Sequence, residues 1–413
     1  MIDLNFLREN PKKVIELMQK KEPKFDIEGL IQKDVELRKL QQEVENLRAA
    51  KNDLAKQAKG GITTELREQS IQLGKDLKDK EVLFETCKQD FENLYLSCPN
   101  LIFDEIPVGN KESNKVVKEF GKKPVFNFAI KNHVELGEAL GWLDFESAAK
   151  MTAGNFAMYR KDAVRLVYAL TMYMLKNNVK YGFEPILPPY MVNEQSLINA
   201  SNFPKFRDQV YSVPADGLFL SPTSEVNLTN IYKESILEGE ALPIRMTAWT
   251  SCFRREAGGY GADERGLIRI HQFEKVELYT ICAPENSEDE QQRMLKCAEG
   301  MLQELGLHYR VSLLAAQDCS FPSAKTYDIE VWMPGQNKFY EVSSISNCTD
   351  FQARRAGIRY REKVGEKTKL VHTLNGSSLA LPRLIVALME TYQKADGSVE
   401  IPAILKKEGM WSK

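Results

Sequence analysis

Phe253-Arg254-Arg255-Glu256-Ala257-Gly258-Gly259-Tyr260-Gly261 is followed closely by Gly266-Leu267-Ile268-Arg269-Ile270-His271-Gln272-Phe273-Glu274-Lys275-Val276-Glu277-Leu278-Tyr279. The stretch reads as a strand, a glycine-rich loop and a second strand. From Ile268 to Phe273 the residues alternate in character, as in an antiparallel strand with one face buried. Further β-type runs fall at 218–220, 247–254, 328–333 and 339–344, and helical patterns cover 162–179, 287–305 and 378–393. Strands outnumber the helices available as crossovers. The expected fold is therefore α+β: a mostly antiparallel sheet flanked by helices, rather than a doubly wound parallel sheet.

Upstream, residues 27–98 contain no proline and carry apolar side chains at seven-residue spacing. Leu30, Leu37, Val44 and Ala58 share one register, interrupted by Lys51, and Leu40, Leu47 and Leu54 share the complementary one. After Gly60-Gly61 the pattern resumes with Leu77, Phe84 and Phe91, and with Leu66, Leu73 and Leu94. Two helices of roughly 33 residues, forming an antiparallel arm about 50 Å long, are expected. Periodicity alone fits a dimerising coiled coil or a spacer as well as a binding arm. Near the turn, Arg48, Lys51, Lys56, Lys59 and Arg67 outnumber Asp53 and Glu65, although the whole hairpin is net acidic. A positive tip on a negative body suits a polyanionic partner. Pro107, Gly109 and the polar run 110–115 mark a linker, which divides the chain into an arm domain, 1–110, and a second domain, 111–413.

A chain of 413 residues with 43% apolar and 28% charged residues is a folded globular protein of two or three units. Its formal charge of −2 leaves nucleic-acid binding to a local basic surface. No run approaches the ~20 apolar residues of a membrane span, and the start, Met1-Ile2-Asp3-Leu4-Asn5, lacks a signal-peptide layout, so a cytoplasmic chain with no membrane partner is expected. Seven dispersed cysteines without a C-x-x-C pair, and only four histidines, argue for reduced thiols and against structural zinc.

No phosphate-binding glycine loop, H-E-x-x-H or G-x-S-x-G motif occurs, so arginines are the remaining candidates for holding a nucleotide. Four clusters carry suitable chemistry. Arg254-Arg255-Glu256 faces Phe273, Glu274, Lys275 and Glu277 across the hairpin. Asp328-Ile329-Glu330 and Glu341-Val342-Ser343-Ser344 alternate oxygen ligands with apolar residues, which suits a hard cation such as Mg²⁺. Thr223-Ser224-Glu225 fits a helix cap with an acid in the first turn. Asn375-Gly376-Ser377-Ser378 reads as the opening of an apolar helix, with Arg383 in its first turn against the dipole preference. Each cluster taken alone also fits an ordinary cap or a solvated strand pair.

In this order the clusters resemble the three signature motifs of class II aminoacyl-tRNA synthetases, and most closely the bacterial-type seryl-tRNA synthetase family. Motif one is similar to residues 182–192, motif two to the 253–279 hairpin and motif three to 375–393. The stretches 331–337, 341–347 and 350–355 resemble sequence particular to the serine enzymes, and the likeness covers essentially the whole chain, arm included.

The resemblance implies ligation of L-serine to tRNA(Ser) through a seryl-adenylate, with ATP and Mg²⁺ and release of AMP and pyrophosphate. It implies a homodimer built through motif one and an arm that grips the long variable arm of the tRNA, with tRNA(Sec) as a second candidate. By the same resemblance, Arg254 holds the α-phosphate and the serine carboxylate, and Arg255, Glu256 and the motif-two loop lie along the nucleotide. Phe273 and Arg383 stack the adenine, with Arg383 also near the γ-phosphate. Glu341 and Ser344 hold the metal, with Val342 and Ser343 beside them. Thr223, Ser224 and Glu225 take the serine amino group, and Glu277, Asn375 and Ser377 its hydroxyl. Ser378 and Pro382 stand where many relatives have glycine, and the loop 259–264 departs from the commoner small-residue version. A tRNA-independent ligase that loads a carrier protein and a non-catalytic coiled-coil scaffold are the alternatives. Synthetases for threonine or proline share motifs two and three but lack the hairpin.

Overall fold

The computed structural model describes residues 1–57, 61, 63–257, 266–407 and 411. The chain divides into two compact units, Met1–Pro99 and Asn100–Lys413. Residues placed before the linker already hydrogen bond within the second unit. The Asn100 amide donates to the carbonyls of Pro322 and Cys348 at 2.8 and 2.9 Å, and the Phe103 N–H donates to Ala324.

In the first unit two short helices, Leu4–Glu9 and Pro11–Lys21, precede α1, Ile27–Gln57, and α2, Thr64–Leu96. Thr63 caps α2 by accepting the Leu66 N–H. Leu30, Val44, Leu77 and Phe91 are buried, so the seven-residue registers form the seam between the helices. Lys33–Asp90, Lys80–Glu43 and Arg48–Glu81 bridge the helices and fix their antiparallel sense. At 31 and 33 residues the helices are ~50 Å long. Arg48, Lys51, Lys56 and Arg67 are exposed, whereas Ala58, Lys59 and Gly60 lie outside the described residues. Arg48 is paired with Glu81 at 2.7 Å and Lys56 with Asp53 at 2.9 Å. Exposed pairs of this kind are worth only ~0–1 kcal/mol, so a phosphate can displace either carboxylate.

The second unit is built on an eight-stranded sheet. Its strands are β1, Lys115–Phe120; β2, Glu184–Ile186; β3, Ile244–Phe253; β4, Gln272–Cys282; β5, Tyr309–Leu313; β6, Lys325–Met333; β7, Lys338–Asn347; and β8, His372–Ala380. They are ordered β1-β5-β6-β7-β8-β4-β3-β2, and every neighbouring pair is antiparallel except β2 with β3. Helices α3, His133–Leu140; α4, Asp162–Lys180; α6, Ser287–Glu304; and α7, Leu381–Thr391, share one apolar core with the sheet. Leu170, Met294, Met301, Leu384 and Ile385 pack there with Val276, Leu278, Ile329, Val342 and Leu374. Between β2 and β3 a further helix, α5, Ser224–Ile231, packs against β3 and β4 through Leu228.

Two sequence expectations need correction. The second hairpin strand begins at Gln272, well after Gly266, because the N–H groups of Leu267 and His271 bond outside the ladder. The Leu267 N–H goes to His133 and the His271 N–H to Asn155. Residues 375–380 belong to β8, and the helix starts only at Leu381 with Pro382 in its first turn. Gly-Ser-Ser is a good local helix start, but pairing with β4 from His372↔Cys282 to Ala380↔Lys275 outweighs it. Gly376 is suited to that strand, since a Cβ there would sit 2.8 Å from the Ile345 side chain. Arg383 remains in the first turn, as expected.

Candidate active site

Two cavities open on the sheet between α5, β4, β7, β8 and the start of α7. The larger, about 500 Å³, is lined by Thr223, Glu225, Arg254, Glu277, Ser344, Asn375 and Ser377 among others. The smaller, about 200 Å³, is lined by Arg254, Glu256, Phe273, Glu341, Pro382 and Arg383, with the segment Leu267, Ile268, Arg269 and Ile270 forming one wall. Arg254, Glu256, Arg269, Lys275, Glu341 and Ser377 border both, so the cavities are two halves of one site.

Alternation along β4 and β8 sets the larger half. Glu277 pairs with Ser377 in register, and both project to the face opposite Val276 and Leu278, which are in the core. The Glu277 carboxylate is buried and bound by Lys275 at 2.5 Å and by the Thr223 hydroxyl at 3.0 Å; Lys275 also donates to Thr223. Glu225, in the first turn of α5, accepts from Gln352 at 2.6 Å and from Asn375 at 2.9 Å. Burial, reinforced by the neighbouring Glu277 charge, pushes Glu225 up to about 7; Gln352, Lys275 and Arg254 oppose the shift. This carboxyl lacks a cationic partner within bonding distance among the described residues and suits an ammonium ligand.

The smaller half is built for anions. Arg254 stands at the end of β3, where its N–H still donates to the His271 carbonyl. Its guanidinium lies 5.2 Å from the Phe273 ring centroid, and its Nε donates to the Pro222 carbonyl at 3.3 Å. Arg383 reaches across from α7, donating to the Glu341 carbonyl at 2.8 Å and the Ile268 carbonyl at 3.3 Å. Glu256 is ion-paired with Arg269 at 2.6 Å.

Magnesium is implied by the fold family, and the residues present fit it. Glu341 offers a carboxylate, Ser344 a hydroxyl, and Asp328, paired with Ser344 in register, adds a second carboxylate nearby. Burial and the Glu341 charge hold Asp328 well above the usual carboxylate range, and its Oδ1 has no partner among the described residues. Such an excess of acceptors suits a hard cation that takes its remaining ligands from phosphates and water. Among the described residues no group of three or more His, Cys, Asp or Glu is placed to hold a metal ion, here or elsewhere, so a cation at Glu341 would draw most of its ligands from bound phosphates and water.

The expected residues are thus largely brought together, but four are turned away from the lining. Val342 is wholly in the core, and the Ser343 hydroxyl is spent on the Ser377 carbonyl. Ser224 is buried inside α5. Arg255 lies over Tyr211, 6.0 Å from its centroid, and its N–H donates to the Gln209 carbonyl. The loop 259–264 lies outside the described residues. From the sequence Lys275 is only a neighbour in the hairpin cluster, and neither it nor Arg269 nor Gln352 carries an assigned role. Lys275 carried a signal: two positions before Glu277 on an alternating strand, it had to share that residue's face.

An antiparallel sheet whose open face presents two arginines, acids and hydroxyls, without a glycine phosphate loop, is the core of a class II aminoacyl-tRNA synthetase. Residues 211–392 match the family model described as the tRNA synthetase class II core domain (G, H, P, S and T), and residues 1–102 match the Seryl-tRNA synthetase N-terminal domain. The chain is 43% identical to the serine--tRNA ligase of Syntrophobacter fumaroxidans and 44% to that of Campylobacter fetus, each over 98% of both chains. It superposes on the crystal structure of seryl-tRNA synthetase from Pyrococcus horikoshii complexed with ATP with a TM-score of 0.92 at 35% identity, again over 98% of each. The chain belongs to the seryl-tRNA synthetase family.

Proposed function

We propose that this protein activates L-serine with ATP and transfers it to tRNA(Ser), and that the two-part cavity joined at Arg254 is where activation occurs. The observation that carries the reading is the shared border: Arg254 faces an anion-binding half and an ammonium-binding half at once. Serine's carboxylate must attack the α-phosphorus of ATP while pyrophosphate leaves, and a guanidinium at the junction binds both anions and meets the charge that develops between them. The attacking oxygen is already ionised, so activation needs no general base. Glu225 takes the serine ammonium, with Thr223 and Asn375 beside it. Glu277, Ser377 and Asn375 face the side-chain hydroxyl. Phe273 and Arg383 flank the adenine. Mg²⁺ would be held by Glu341 and Ser344 and would neutralise phosphate charge. In the second step a terminal ribose hydroxyl of the tRNA attacks the seryl carbonyl and AMP leaves.

Residues 1–110 supply the tRNA-binding arm in this reading and 111–413 the catalytic domain. tRNA(Ser) with its long variable arm is the partner of the exposed cations Arg48, Lys51, Lys56 and Arg67, with Lys59 between them in sequence. tRNA(Sec) is a second candidate. A homodimer is supported by exposed Val164, Tyr168, Met172 and Val179, which recur at helical spacing on α4 beside the motif-one strand β2. No helix among the described residues is long and apolar enough to cross a membrane, and a cytoplasmic location accords with the redox state expected of seven free cysteines. A non-catalytic scaffold would not keep phosphate-, ammonium- and metal-binding groups around one cavity.

The test is ATP–pyrophosphate exchange with serine, alanine, threonine and cysteine. Exchange with serine alone is expected, and exchange driven better by another amino acid would refute the assignment. Exchange should also depend on pH through Glu225. Serine's ammonium requires the ionised carboxyl, so affinity is full above about 7 and falls as protonation competes below it. Serine KM is expected to rise about tenfold from pH 8 to pH 6, with the rise lost in Glu225→Gln. The sign for folding is opposite. A carboxyl held above its usual range costs stability as pH climbs from 4.5 through about 7, so Glu225→Gln should melt higher than the parent at pH 8.

A further inference from the structure

The wall 267–270 of the smaller cavity has left its hairpin ladder and must be held by something else. The Leu267 N–H donates to His133 Nε2 at 3.1 Å. With Nε2 accepting, the ring proton is on Nδ1, which donates to Glu390 Oε1 at 3.1 Å. Both side chains are essentially buried, at 1% and 0% exposure. The Glu390 carboxylate also accepts the His133 N–H at 3.0 Å, the Gly335 N–H at 2.9 Å and the Gln336 amide at 3.1 Å. One carboxylate on α7 therefore gathers the start of α3 and the β6–β7 turn, and through the imidazole the segment entering β4.

Two glycines make the closeness of this packing necessary. A Cβ on Gly266 would lie 2.2 Å from His133 Nε2, and one on Gly335 would lie 2.8 Å from the Glu390 carboxyl carbon. About two helical turns before Glu390, Arg383 projects from the same α7 and bonds the Ile268 carbonyl at 3.3 Å. The cavity wall is thus tied to α7 at two consecutive residues where it begins, at Leu267 through His133 and at Ile268 through Arg383.

We propose that His133 and Glu390 are positioning residues for ATP: they fix the wall 267–270 and the helix carrying Arg383 as one preformed nucleotide seat, without touching the nucleotide. This rests on the function proposed above. The pair lines neither half; it acts through Leu267 and Ile268, which line the nucleotide half and do not line the half with Thr223, Glu225 and Asn375. Its effect should fall on ATP and spare serine.

Glutamine and methionine are near-isosteric, but only glutamine offers an acceptor where Nε2 meets the Leu267 N–H. His133→Met is expected to raise the Kd of ATP in calorimetric titration, and the ATP KM in exchange, by about tenfold, as a buried N–H left unpaired predicts. Serine KM should not change, and His133→Gln should recover most of the ATP affinity. Gly266→Ala, which displaces the ring without emptying the core, should weaken ATP in the same sense and serves if His133→Met does not fold. Equal ATP affinities for the methionine and glutamine variants, unchanged ATP affinity in Gly266→Ala, or a parallel rise in serine KM would each overturn the proposal. If the parent protein binds ATP but shows no serine-dependent exchange, the proposed reaction fails while the calorimetric comparison still judges His133.

Discussion

Arg254→Ala is expected to lower kcat/KM for serine-dependent exchange by about 10³-fold or more while the protein melts within a few degrees of the parent. Removing one preorganised donor from a site of developing charge typically costs ~10²–10³ in rate, and Arg254 also binds both reacting anions before the chemistry. The stability side is small because the side chain joins the fold through a hydrogen bond to the Pro222 carbonyl and a ring contact with Phe273. Arg254→Lys should remain severely impaired, since an ammonium restores charge without the planar fork that can address two anions. Near-normal exchange in a well-folded Arg254→Ala would remove this residue from the mechanism.

The second large effect concerns the arm. Excising 30–97 and joining Gly29 to Cys98 is expected to leave serine-dependent exchange near the parent level and to lower charging of tRNA(Ser) by ~10³-fold or more. Lys33 and Asp90 are bonded at 3.1 Å, so the helices run side by side near their base and the excision closes a short gap. The lost cations are exposed and act on phosphates, so the remaining charging should also lose part of its salt dependence. Retained charging would make the hairpin a structural element, and loss of exchange would show that the second unit needs it to fold.

How much of this was legible depended on the range of the determining interaction. The arm was readable because its seam repeats every seven residues within one helix, and burial of Leu30, Val44, Leu77 and Phe91 needs only the neighbouring helix. The site residues on alternating strands, Glu277 and Glu341, were readable from their spacing. Asn375 and Ser377 were identified as site residues but placed on a helix, because Gly-Ser-Ser favours a helix start locally and pairing with β4, nearly one hundred positions earlier, decided otherwise. Val342, Ser343 and Ser224 were drawn in by adjacency to Glu341, Ser344, Thr223 and Glu225. The register shift that leaves Val342 unpaired lets Glu341 and Ser344, three positions apart, line the cavity while Val342 and Ser343 do not, and Ser224 is rotated inward at the start of α5. His133 gave no signal, since a lone histidine becomes meaningful only when Leu267 and Glu390 close on it from distant parts of the chain.

The most direct test of the central claim, that guanidinium groups and Glu341 converge on one triphosphate, is a crystal structure with ATP and Mn²⁺ bound. The expected result is a triphosphate within hydrogen-bonding reach of Arg254 and Arg383, the adenine against Phe273 and an anomalous peak beside Glu341 and Ser344. A triphosphate bound outside this cavity, or either arginine turned away from it, would contradict the claim.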